Sequence, residues 1–160
     1  LEILRALNDE HAVAATLNNI AVTLNDMNKC EEARDVLQEA LAIDERLHGV
    51  DSKDVVYTLL SLSGAQGALG QLQEARTTSD RALRIMETHF YEEDPVGYAK
   101  VLSTNADILL QIGGEANLNR ATNQVNQAIA IEIQQFGAPR GYATKLLVVI
   151  EAQIKYDQMV

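Results

Sequence analysis

The stretch from Leu17 to Leu41 reads LNNIAVTLNDMNKCEEARDVLQEAL, and many of its apolar and alanine positions return further along the chain. Glu32-Ala33-Arg34 returns as Glu74-Ala75-Arg76, so the step from 32 to 74 is 42 residues. A third copy contains Leu102, Ala106, Ala121, Val125, Ala128 and Ile129, and a fourth begins at Leu146. A repeat of this length indicates a solenoid of stacked units, in which each unit buries its apolar face against its neighbours.

Within each copy, the apolar residues lie three and four positions apart, which predicts amphipathic helices and no strands. The fold class is therefore all-α, with about three and a half helix-turn-helix units. Capping residues precede the first helix of three successive units: Asp9, Ser52 and Asp94. Turn residues separate the two helices of these units: Asn28-Lys29, Gly70 and Gly113-Gly114.

A single array without long linkers accounts for the whole chain. We assign residues 1–9 to the end of a preceding unit, and we place three repeats at 10–51, 52–93 and 94–138. Residues 139–160 form the first helix of a fourth repeat. Because the chain opens on Leu inside a repeat, we expect it to be a fragment of a longer protein.

The net charge of the chain limits the classes of partner that we expect. The formal net charge is −10, which argues against nucleic acid and anionic membranes, since both are bound through basic patches. A partner of basic character is mildly favoured, although acidic helix faces that serve only for solubility explain the same charge.

The single cysteine, Cys30, excludes an intrachain disulfide and favours a reducing, cytoplasmic location. The first eight residues lack the apolar core of a signal peptide, and no apolar run reaches the roughly 18 residues needed to span a bilayer.

The spacing of large and small residues resembles the tetratricopeptide repeat (TPR). In the first copy the matching positions are Leu17, Ile20, Ala21, Leu24, Ala33, Leu37 and Ala40. The small side chains among them, the three alanines, are expected to let the two helices approach closely. The 42-residue step is longer than the usual 34, and this variant resembles the repeats of kinesin light chains. The matching segments are LNNIA at 17–21, ALAI at 40–43 and LHGVD at 47–51. The resemblance implies a right-handed α-α superhelix.

That resemblance also implies a concave groove lined by the first helices of successive repeats. By register, we expect the groove to be lined by Asn18, Asn19, Val22, Asn25 and Asp26, by Tyr57, Leu60, Ser61, Gly64, Gly67 and Ala68, and by Lys100, Ser103, Thr104, Asp107 and Gln111. Asparagine donates and accepts at once, which suits an extended peptide backbone. The alternative is that Asn18 and Asn19 are solvated or bridge adjacent repeats.

Gly64 and Gly67 are costly inside a helix, at about 1 kcal/mol each relative to alanine. They clear one strip of helix surface for a ligand side chain or a partner helix. The alternatives are that packing against the neighbouring repeat requires them, or that they arose by drift. Lys100 is the only cationic residue in the expected groove. The groove therefore does not suit the C-terminal carboxylates of chaperones, because binding them needs several Lys or Arg side chains.

No residue pattern indicates catalysis, a cofactor or a metal site. The three histidines, His11, His48 and His89, are far apart in sequence, and His48 and His89 fall at equivalent helix ends, where a cation is favoured. Cys30 has no neighbouring histidine to act as a base. The arginines Arg76, Arg81 and Arg84 alternate with acidic residues and indicate a solvated outer face.

We therefore expect a noncatalytic scaffold that binds a protein or peptide in its concave groove. The alternative is a ligand- or peptide-sensing regulatory domain that controls an attached effector. The fourth first-helix is apolar nearly all round, with Leu146, Leu147, Val148, Val149, Ile150 and Ile154. We expect it to pack on the third repeat and to leave an apolar end patch that permits self-association.

Overall fold

The computed structural model describes residues 9–139 and 142–159, and seven α-helices and one short π-helix account for most of them. The α-helices are α1 (Glu10–Asp26), α2 (Cys30–His48), α3 (Lys53–Ala68), α4 (Leu72–Ile85), α5 (Pro95–Ile112), α6 (Glu115–Phe136) and α7 (Tyr142–Met159). The π-helix, Met86–Phe90, continues α4. No strand occurs among the described residues, so the all-α prediction is confirmed there.

Side-chain caps begin three of the helices. Asp9, Ser52 and Asp94 each accept a hydrogen bond from the backbone N–H three residues further on, at 3.0, 3.3 and 2.8 Å respectively. Pro95 follows Asp94 at the start of α5, where its missing N–H would have no partner within the helix. The three predicted caps are confirmed.

The turns between paired helices need a left-handed residue. Gly70 has φ of +72° between α3 and α4, and Asn28 has φ of +60° one repeat earlier, between α1 and α2. Glycine adopts this conformation without a Cβ clash, and asparagine is among the few other residues that tolerate it. The two turns therefore keep the same local geometry although their sequences differ.

The described helices form two compact units, which divide between His89 and Phe90. In the first unit, α1 packs on α2, α2 on α3, α3 on α4, and α1 also contacts α3. One core cluster combines residues of α1, α2 and α3: Ala21, Ala33, Leu37, Leu62 and Ala65. Ala21, Ala33 and Ala40 have no exposed surface, which confirms their predicted role at close helix contacts.

A buried chain of hydrogen bonds joins α1, α2 and α3. The Asn18 side-chain amide donates to the Thr58 hydroxyl at 3.0 Å, and that hydroxyl donates to the Asp44 carboxylate at 2.7 Å. Asp44 is only 4% exposed. Burial raises the pKa of Asp44 above its ordinary value of 3.8, and the hydrogen bond from Thr58 offsets part of that increase.

In the second unit, α5 packs on α6, and α7 contacts both. Among the described side chains of α7, the buried ones are Ala143, Leu146 and Ile150. Its exposed apolar side chains are Val148, Val149 and Ile154. The predicted packing of this helix on the third repeat is confirmed, and an apolar face remains exposed.

An amide pair lies in the interior of the second unit. Gln124 of α6 donates from Nε2 to Oδ1 of Asn105 on α5 at 2.9 Å, and Asn105 has no exposed surface. One turn further along α6, the Gln127 amide donates to the Tyr98 hydroxyl at 3.3 Å. The α5–α6 contact is therefore partly polar.

Candidate partner-binding surface

One face of α1 is exposed along its length. Asn19, Val22 and Asp26 lie three and four positions apart, so they project from the same side of the helix, and all three are exposed. Val22 keeps 55% of its surface exposed and therefore offers apolar contact area on this face. This face presents an amide, an isopropyl group and a carboxylate.

The equivalent face of α3 is also open. Tyr57, Gly64 and Ala68 are exposed and Ser61 is half-buried. These residues repeat the α1 pattern after one step of the sequence, because 19, 22 and 26 become 61, 64 and 68. The helices α1 and α3 are in contact, and we consider their two exposed faces together as one candidate surface within the first unit. We call it the exposed strip, and its members are Asn19, Val22, Asp26, Tyr57, Ser61, Gly64 and Ala68.

The corresponding positions of α5 belong to the second unit. Lys100 and Gln111 are exposed, and Thr104 and Asp107 are half-buried. The Thr104 hydroxyl donates to the Lys100 backbone carbonyl at 3.0 Å, and the Gln111 amide donates to the Asp107 carboxylate at 3.1 Å. This face is more polar than the exposed strip.

Four of the predicted groove residues are not openly exposed, and their place in a groove lining stays a prediction. Leu60, Gly67 and Ser103 are buried, and Asn18 is half-buried with its amide bonded to Thr58. Successive side chains of a helix differ in direction by about 100°, so Asn18 faces a different side of α1 from its exposed neighbour Asn19. Asn18 therefore bridges adjacent repeats, which is the alternative raised from the sequence.

Asn25 lies at the border of the exposed strip and is half-buried. Its side-chain oxygen is enclosed and has no hydrogen-bond partner among the described residues. An enclosed acceptor without a partner is unfavourable, typically by about 1–3 kcal/mol. The side-chain oxygen of Asn25 is therefore an unsatisfied hydrogen-bond acceptor at the border of the exposed strip.

Gly64 lies in the middle of the exposed strip, within α3. A Cβ added to this glycine would meet no atom of the described residues within 4 Å apart from the adjacent backbone of its own helix, so packing among these residues does not require the missing side chain. Glycine inside a helix costs about 1 kcal/mol relative to alanine. The residue therefore lowers stability without a packing reason in this structure, and it leaves the helix backbone open to contact from outside.

The outer helices carry paired charges. Arg81 lies 2.6 Å from the Glu45 carboxylate and donates to the Val50 carbonyl at 3.0 Å, and Arg76 lies 3.7 Å from Asp80. This arrangement fits the predicted solvated outer face.

Two histidines that are distant in sequence lie together in the first unit. Nδ1 of His11, near the start of α1, is 3.2 Å from Nε2 of His48, at the end of α2. Sequence reasoning missed this pair, although two antiparallel helices joined by a short turn bring the start of the first helix close to the end of the second. Cys30 is a free thiol, half-buried at the start of α2.

The sequence model of the tetratricopeptide repeat family matches residues 1–88, which are 88 of the 160 residues. The chain belongs to the tetratricopeptide repeat family. The resemblance noted from its residue spacing is thereby confirmed. Proteins of this family are in general noncatalytic interaction scaffolds.

Solved TPR structures share this fold. BtubC (BKLC) from P. vanneervenii aligns with a TM-score of 0.72 and 22% identity, over 88% of this chain and 55% of BtubC. A Podosopora anserina putative kinesin light chain with nearly identical TPR-like repeats aligns with a TM-score of 0.69 and 18% identity, over 76% of this chain and 56% of its own. The Sgt2 TPR domain from Aspergillus fumigatus gives a TM-score of 0.66 and 16% identity, over 92% and 82% respectively.

These similarities confirm the helical-repeat solenoid and its likeness to kinesin-light-chain repeats. The chain spans about half the length of the first two structures. No curated protein sequence matches this TPR chain. Within the described residues, no helix is long and apolar enough to cross a membrane.

Proposed function

We propose that this TPR chain is a noncatalytic scaffold that binds a peptide segment or a helix of a partner protein on the exposed strip. The observation that carries the proposal is Gly64, a helix-interior glycine with open space around it. A glycine there lets a partner approach the α3 backbone closely, and the exposed Val22 lies at the equivalent position of α1.

The side chains around Gly64 suit a peptide. Asn19 offers both a donor and an acceptor for a backbone amide, and Val22 and Tyr57 offer apolar contact area. Helices hold these groups in place before binding, which reduces the ordering cost of association. Lys100, Thr104 and Asp107 are the corresponding candidates in the second unit.

Asp26 is the only charged residue of the exposed strip, and the whole chain carries a net charge of −10. We therefore propose a partner segment of basic character. Binding should weaken as the salt concentration rises, because added ions screen exposed charges over about 10 Å at 0.1 M ionic strength. Since its one cysteine is free, we also place the protein in a reducing compartment such as the cytoplasm.

A photo-crosslinking residue at position 22 identifies the partner, with the same residue at Thr77 as control. Thr77 is exposed on α4 and is not a member of the exposed strip. A protein that crosslinks from position 22 but not from position 77 supports binding on the strip. Crosslinking from position 77 alone would place the partner on the outer helices and would refute the proposal.

Direct binding of the purified partner then tests the role of Gly64. Gly64→Arg places a large cationic side chain in the exposed strip, and Thr77→Arg makes the same change of charge on α4. We expect Gly64→Arg to abolish binding and Thr77→Arg to leave it unchanged, with helicity checked by circular dichroism. Equal binding by both variants would contradict the proposal.

A further inference from the structure

We propose that His11 and His48 form a two-histidine site for a divalent transition-metal ion. The site lies in the first unit, where the first turn of α1 meets the last turn of α2. Nδ1 of His11 and Nε2 of His48 are 3.2 Å apart, and the ring centroids are 5.3 Å apart with the ring planes at 87°. The two nitrogens therefore approach each other directly.

The distance between the nitrogens fits metal coordination. Zinc–imidazole bonds of about 2.0–2.1 Å at a tetrahedral angle separate two ligand nitrogens by about 3.3 Å. In the metal-free protein, the same distance allows one neutral ring to donate its N–H to the other. A cation bound between the two nitrogens would take the place of that N–H, and the donating ring would then carry its proton on its other nitrogen.

The surroundings hold these helix ends together. Glu10, next to His11, forms an ion pair with Arg46 at 2.7 Å, so a second contact joins the start of α1 to the end of α2. Both histidines are exposed, so a cation can reach them from solvent. Asp44 lies one turn before His48 on α2, and the acidic character of the chain further favours a cation.

The two imidazoles would be the only protein ligands. Within residues 9–139 and 142–159, no group of three or more His, Cys, Asp or Glu side chains is arranged to hold a metal. Water or a group from another molecule would complete the coordination, so we expect a weak and exchangeable site. Imidazole selects ions such as Zn²⁺, Cu²⁺ and Ni²⁺ over Mg²⁺ and Ca²⁺.

Isothermal titration with ZnCl₂ alone tests the proposal on chelator-treated protein. We expect one ion per chain, and we expect His11→Gln and His48→Gln each to abolish that binding. His89→Gln is the matched control, because His89 is the remaining histidine and lies in the π-helix. It should bind Zn²⁺ as the parent does. No binding by the parent, or equal binding by all three variants, would refute the site.

A second measurement does not depend on the variants. Zinc should raise the thermal midpoint of the parent, because it binds the folded state, and chelator should reverse the shift. In ¹⁵N spectra of the parent histidines, only the His11 Nδ1 and His48 Nε2 signals should show coordination shifts. Shifts at His89 instead, or at no histidine, would overturn the assignment.

Discussion

The hydroxyl of Thr58 donates a 2.7 Å hydrogen bond to the buried carboxylate of Asp44 and accepts a hydrogen bond from Asn18 at 3.0 Å. Each of the three residues is on a different helix, and two of the helices are the first helices of successive repeats. A hydroxyl suits the middle position because it donates and accepts at once. The contact therefore links one repeat to the next through buried polar groups.

Replacing Thr58 with valine should destabilise the first unit. The substitution keeps the shape of the side chain but leaves the Asp44 carboxylate without this donor, and a buried acceptor that loses its partner costs about 1–3 kcal/mol, or more when charged. Urea unfolding followed by circular dichroism measures the change. Thr23→Val is the control, since the exposed Thr23 hydroxyl donates to the Asn19 carbonyl of its own helix at 3.2 Å. Equal effects of the two substitutions would show that the buried chain adds nothing.

Asp44 should make stability depend on pH. Burial raises the pKa of this carboxyl above 3.8 in the folded state, and the nearby Asp54 adds to the increase. Between 3.8 and the raised folded pKa, the folded state binds more protons than the unfolded state. The contribution of Asp44 to the free energy of unfolding therefore falls as pH rises through this window.

Asp44→Asn isolates that contribution, because asparagine keeps an acceptor for Thr58 and does not titrate. The stability of the variant relative to the parent should rise with pH from about 4 and level off above the folded pKa. Unfolding free energies measured at half-unit intervals give the curve. A relative stability that is constant, or that falls as pH rises, would contradict the raised pKa.

Gly64 and Gly97 should respond in opposite directions to alanine. Gly64 has no atom within 4 Å of an added Cβ, so Gly64→Ala should stabilise the protein by about 0.5–1 kcal/mol. In Gly97→Ala the Cβ would lie 2.5 Å from Oδ2 of Asp94, the residue that caps α5. Displacing that cap should cost about 0.5–2 kcal/mol. The thermal unfolding midpoints of both variants measure these changes. A loss of stability in Gly64→Ala would show that packing around α3 requires glycine at this position.

Much of the helical framework follows from the sequence. The returning alanines predicted which residues lie at close helix contacts, and Ala21 and Ala33 are indeed fully buried. The caps Asp9 and Ser52 were recognisable because a short polar side chain precedes an apolar helix. These features are local or periodic, so a single sequence contains enough information to place them.

The candidate surface was harder to predict. Asn18 and Asn19 are chemically identical, yet one is bonded to Thr58 and the other is exposed. A difference of about 100° around the helix separates them, and the direction of the neighbouring repeat decides which one is covered. The pairing of His11 with His48 likewise depends on the antiparallel arrangement of α1 and α2. The separation of the two histidines along the sequence does not reveal this arrangement.

The apolar face of α7 should mediate self-association. Val148 and Val149 are 62% and 54% exposed, and contiguous apolar surface of this kind favours contact with another molecule. We expect sedimentation velocity to show an oligomer that grows with protein concentration, and the double substitution Val148→Lys with Val149→Lys to abolish it. Thr77→Lys on α4 is the control for added charge. A parent that remains monomeric at high concentration would refute the prediction.

Asn105 and Gln124 should be strongly coupled, because each would lose a buried partner if the other were replaced. Repeats one and two have Ile20 and Leu62 at the position of Asn105, so leucine fits the pattern of the array. We expect Asn105→Leu and Gln124→Leu each to lower the free energy of unfolding by about 1–3 kcal/mol.

The double variant tests that coupling. It removes the buried pair together with the side-chain oxygen of Gln124, which has no hydrogen-bond partner among the described residues. It should therefore lose less stability than the sum of the two single variants, with a coupling energy of at least about 0.5 kcal/mol from urea unfolding. Additive effects would mean that the 2.9 Å hydrogen bond does not couple α5 to α6.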